Sequence, residues 1–119
     1  METKKAIFDF VYSEKMKSGL IIGTQLLQRL ESLQSEEEFS GAQKALIWYL
    51  EGLLREVSIA KKVAGLSHFD DLERKIMEII GKLRTSQFEA VLPSFSEAIS
   101  LSTTSCQASM TDLMEKKLI

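Results

Sequence analysis

The chain has one cysteine, Cys106, one histidine, His68, and one proline, Pro93. A lone cysteine excludes an internal disulfide and any zinc site built on several thiolates, and it fits a reducing compartment, so a cytoplasmic location is the expectation. One proline and six glycines in 119 residues remove the collagen-like and proline-rich classes. An excess of charge of one sign is missing too: 15 basic against 17 acidic residues leave a net charge of -2, with no global field for nucleic acid or an anionic membrane. The basic residues are scattered in pairs such as Lys4-Lys5, Lys61-Lys62, Arg74-Lys75 and Lys116-Lys117. Long apolar runs are absent as well. The longest charge-free stretches, 18–28 and 98–111, fall short of the roughly 20 apolar residues that a membrane-spanning helix needs. After Lys5 only Ala6-Ile7-Phe8 precede Asp9, so neither a secretory leader nor a membrane anchor is expected.

What is present is apolar residue at helical spacing. With 45% hydrophobic residues and this length, residues 1–119 are expected to form a single domain with one core. Met16, Leu20, Gly23, Leu27 and Leu30 advance by alternating fours and threes, which marks one face of a helix running from about Thr3 to Gln34. Gly19 and Gly23 stand one turn apart in it, either as a local weak point or as a place where a neighbouring helix comes close. Ser35 and Glu38 have the spacing of a capping box, with Ser40 as an alternative start, and Leu46, Leu50, Leu53, Val57 and Ala60 mark a second helix expected from about Ser40 to Ala64. Gly65 supplies the left-handed residue that closes it. Ser67 or Asp70 is the expected cap of a third helix, whose buried face reads Phe69, Leu72, Ile76, Ile79 and Leu83. Thr85 or Ser86 opens a fourth helical region, in which Pro93 either bends the helix or sits in the first turn of a new one. No segment alternates as a strand does. Four principal helices with short connections predict an all-α, antiparallel up-and-down bundle, the last helix broken or unbroken at Pro93.

A search for chemistry finds none of the arrangements that helical enzymes use. A carboxylate-bridged di-iron bundle needs two Glu-x-x-His elements, and His68 has Gly65 three residues before it. A magnesium site of paired acids needs Glu-x-x-Glu, which occurs nowhere in the chain. The polar group His68, Asp70, Asp71 and Glu73 is the best metal candidate left. Its members point apart at a helix start, however, and capping by Asp70 accounts for the same residues. Cys106 has no histidine near it in sequence and reads as a small buried hydrophobe. No cofactor and no catalytic residue is therefore expected.

One segment is compositionally odd. Seven of the twelve residues from Ser100 to Thr111 are serine or threonine, yet Leu101, Cys106, Met110 and Leu113 keep a helical spacing. It reads as a disordered tail, a helix packed closely against another, or a helix lining a polar groove. The second helix, by contrast, is apolar on several sides, with Ile47, Trp48 and Tyr49 around its circumference. A small bundle cannot shield all of these, and aromatic residues at its boundary make good interface anchors. The reading that follows is a non-catalytic protein–protein interaction or assembly module, joined to a second copy or another helical protein through apolar helix faces. Its candidate interface residues are Ile47, Trp48, Tyr49, Ser102, Cys106 and Ser109. Two alternatives stand beside it: a regulatory bundle that binds a small molecule near Ser102, Ser105, Ser109 and Tyr49, and a helical subunit that touches nucleic acid within a complex.

Overall fold

The computed structural model describes residues 3–65 and 69–118. The Ser67 cap and the His68 metal candidate lie outside these residues. Four helices follow in order: α1 (Thr3–Glu31), α2 (Glu36–Ala64), α3 (Asp70–Arg84) and α4 (Phe88–Glu115). Each packs against two neighbours, α1 on α2, α2 on α3, α3 on α4 and α4 on α1, so the four form a ring. Contacts fix the directions. Lys15 meets Glu56, Lys61 meets Asp70, Lys82 meets Ser94 and Asp9 meets Ser105, each pair joining the first half of one helix to the second half of its neighbour. The bundle is antiparallel and up-and-down.

The ends of the helices have local causes. Ser35 is extended (φ -80, ψ 130) and its hydroxyl accepts from the Glu38 amide at 3.4 Å, so α2 begins at the capping box, about one turn before the Ser40 start expected. Glu36, Glu37 and Glu38 occupy its first turn, at the positive end of the helix dipole. Gly65 closes α2 at φ 66, in the left-handed region where a side chain is disfavoured. Asp70 opens α3 without acting as a side-chain cap. It binds Lys61 across to α2 at 2.6 Å instead. The end of α3 closes when the Gln87 amide reaches back to the Lys82 carbonyl at 2.9 Å, with Ser86 left-handed at φ 59.

Pro93 does not divide the fourth helix. It lies exposed in the second turn of a continuous α4, where its missing N–H removes only the bond to the Glu89 carbonyl. The Ser/Thr-rich segment is helical throughout and packed, with Ser102, Cys106 and Ser109 buried.

The core runs the length of the bundle through Met16, Leu20, Leu27, Leu50, Val57, Ile76, Leu83 and Phe95, all of them closed to solvent. At about 1.5 Å per residue, α3 with its 15 residues is roughly half as long as α2 with its 29. The molecule is accordingly a rod, 53 × 23 × 18 Å.

Candidate interaction surface

Helix α1 buries Ala6, Asp9, Ser13, Met16, Leu20, Gly23, Leu27 and Leu30 at heptad spacing, with Gly19 buried beside Leu20. Glycine and serine in that seam allow close approach. A methyl group on Gly23 would lie 2.8 Å from Phe95 Cε1 of α4, and one on Gly19 would lie 2.7 Å from Leu53 Cδ2 of α2. The two glycines are therefore the crossing points of two different neighbours, and the close-packing reading of the pair is the correct one. Toward the other end, the α1–α4 seam turns polar. The Ser105 hydroxyl donates to Asp9 Oδ1 at 2.7 Å, and Ser13 Oγ lies 2.9 Å from the same oxygen and 3.0 Å from Ser105 Oγ. Asp9 is 1% exposed, a carboxyl buried where the surrounding hydroxyls satisfy it.

The candidate interface residues divide on this frame. Ser102 and Ser109 are enclosed between α4 and α1, and their hydroxyls donate back to the carbonyls of Ala98 and Ser105. Cys106 is enclosed there too, its thiol donating to Glu14 Oε1 at 3.0 Å. Burial, followed by the adjacent Glu14 carboxylate, pushes that thiol up to about 11. These three residues belong to an interface within the chain, not to an outward surface, because the heptad of α4 turns them all toward α1. Tyr49 is half-buried and donates its hydroxyl to the Gly19 carbonyl at 2.8 Å. Burial, and then Glu56, raises the phenol above its ordinary value. The side chain of Ile47 is 8% exposed and faces the core.

Trp48 alone of the set points outward, with 66% of its surface in solvent. It stands at the middle of a second stripe on α2, opposite the core, made of Gly41, Ala45, Trp48, Gly52, Arg55 and Ile59. Ile59 is exposed as well, and a methyl group on Gly41 or Gly52 would touch nothing within 4 Å. Beside this stripe, where α3 ends, a groove of about 570 Å³ is lined by Gln43, Lys44, Ile47, Trp48, Glu51 and Arg84. Arg84 is anchored there on Glu51 at 2.7 Å, and Gln43 bonds the Leu83 carbonyl.

Sequence reasoning missed Asp9 and Ser13 as members of the α1 seam, although their spacing continues that of Met16 and Leu20 toward the N-terminus. Their polarity masked a position that the period alone identifies. It also missed the outer stripe of α2, because Gly41, Ala45 and Gly52 carry no hydrophobic signal.

The polar groups of α2 and α3 are engaged with one another. Glu73 accepts from Ser58 at 2.8 Å and from Lys61 at 3.0 Å, and Lys61 is shared with Asp70. The Lys61 ammonium holds both carboxyls below their ordinary range, while they hold Lys61 above its own. Among the described residues no three His, Cys, Asp or Glu side chains gather as a metal ion would require. No described helix is long and apolar enough to cross a membrane. Compared with protein-family models, curated proteins and solved structures, the chain finds no match in any of the three.

Proposed function

We propose that the chain is a non-catalytic protein–protein interaction module that associates with a second copy of itself through an exposed apolar helix face. The observation that carries this reading is Trp48, held on a well-packed helix with 66% of its surface open to water. Burying an indole is strongly favourable, and a rigid helix positions it at little further entropic cost, which is the character of an interface anchor. Overall shape supports the reading. The solvent-accessible surface is 7096 Å², against about 6,500 Å² for a compact monomer of this mass. Polar residues that a catalytic site would recruit are instead engaged with one another, Asp9 with Ser105 inside the bundle and Glu73 with Ser58 at its flank. The lone buried thiol fits the cytoplasm as the place where the module works.

Light scattering and sedimentation across the micromolar range test this. A dimer is expected for the native chain and a monomer for Trp48→Glu with unchanged helicity. A native chain that stays monomeric at high micromolar concentration overturns the proposal.

A further inference from the structure

We infer that the second copy docks antiparallel on the outer face of α2, about a two-fold axis level with Leu50. This rests on the self-association reading and gives it a geometry. The stripe Gly41, Ala45, Trp48, Gly52, Arg55, Ile59 advances by alternating fours and threes, the spacing at which one helix presents a continuous seam to another. Reversed about Leu50, the stripe falls on itself. Trp48 of one copy then stands opposite Gly52 of the other, Ile59 opposite Gly41, and Arg55 opposite Ala45. Each large side chain meets a small one, twice over by symmetry, as an isologous interface demands.

The small residues are otherwise unexplained. Gly41 and Gly52 weaken α2 relative to alanine, and within the monomer a methyl group at either position would meet open space. Against a second helix they become the recesses that admit Trp48 and Ile59. The pairing also places the Arg55 guanidinium one turn from the indole of the other copy, within reach of its face.

Charge selects the direction. Glu36, Glu37 and Glu38 occupy the first turn of α2, and Lys61 and Lys62 its last. Parallel pairing would set Glu38 against Glu38 and Lys62 against Lys62. Antiparallel pairing sets Glu38 against Lys62 at both ends, and opposes the two helix dipoles.

Two measurements on the full-length chain test the geometry. Ala45→Cys and Arg55→Cys are prepared separately, mixed and oxidised, with peptide mapping to locate the linkage. Residues 45 and 55 face each other only between antiparallel copies, so the mixture is expected to give the 45–55 disulfide in preference to either variant linked to itself. In the second measurement Gly52→Leu, which fills the recess, is expected to weaken the dimer at least about 30-fold, as loss of a hot-spot contact does. It should leave the monomer's helicity intact and raise its melting temperature rather than lower it, because that position opens on solvent and leucine is the better helix former. The sole tryptophan reports the same event, its emission shifting to the blue as concentration rises in the native chain but not in Gly52→Leu. Ala45→Cys linking to itself would establish parallel pairing and overturn the inference. A native dimer that survives both Gly52→Leu and Trp48→Glu unchanged would place association on another face, overturning this geometry while leaving self-association standing. A native chain that is monomeric throughout removes both.

Discussion

Cys106 shows how one residue's surroundings set its chemistry. The thiol is buried between α4 and α1 and faces the Glu14 carboxylate, both of which penalise the thiolate. Its folded value of about 11 lies above the ordinary 9.0, so below pH 9 its contribution to stability is fully present. As pH rises from 9 toward 11 the unfolded chain loses this proton first, and stability falls. Urea titrations over that range are expected to show the decline in the native chain and a smaller one in Cys106→Ala. At neutral pH the native thiol should react with a chromogenic disulfide reagent only at the rate of unfolding, whereas a fast reaction would place it at the surface. Asp9 is a second case. Ser105→Ala withdraws a donor from a buried carboxyl and is expected to cost about 1–2 kcal/mol by denaturant titration. Asp9→Ala combined with it should cost less than the two single changes added together, because both break the same bond.

At the scale of the helix, a glycine's effect depends on what faces it. Gly23→Ala gains about 1 kcal/mol of helix propensity but drives its methyl group into the fully buried Phe95 ring, an overpacking cost of about 1–3 kcal/mol. The expected outcome is a lower melting temperature. Gly52→Ala meets no contact within 4 Å in the monomer, and there it should stabilise α2 by about 1 kcal/mol. Melting curves of the two variants at low concentration are thus expected to shift in opposite directions, and a shift of the same sign would contradict the packing of α1 on α4. Pro93 follows the same logic. It lies inside α4 on an exposed face, and Pro93→Ala restores a donor to the Glu89 carbonyl, so the variant should gain about 1–3 kcal/mol.

Considered whole, the molecule is longer than its mass requires. Its radius of gyration is 15.7 Å, against about 13.5 Å for a compact chain of this length. Three long helices and one short one produce that shape, and the outer face of α2, with Trp48 and Ile59, stays open to solvent. If the folded chain pairs on that face, its melting temperature should rise with protein concentration, since association stabilises the folded state by mass action. Trp48→Glu should remove this dependence while keeping the dilute-limit melting temperature close to native. A concentration dependence that persists in Trp48→Glu would contradict pairing through this residue.

The sequence by itself determined the four helices and their direction. The apolar period, the Ser35 capping box, Gly65 and the short connections are all local signals, and a helix forms or ends according to residues within one or two turns of it. Which face of each helix turns inward was legible where the residues are apolar, as for Leu20, Leu50 and Ile76. It was not legible where small or polar residues hold core positions, since Asp9, Ser13, Ser102 and Ser109 are inside only because α1 and α4 approach closely enough for hydroxyls and a carboxyl to satisfy one another. The fate of Ile47, Trp48 and Tyr49 was likewise decided by tertiary structure. Three consecutive residues are each turned 100° from the last by helix geometry, and only the positions of α1 and α3 decide that Ile47 meets the core, Tyr49 meets Gly19 and Trp48 meets water.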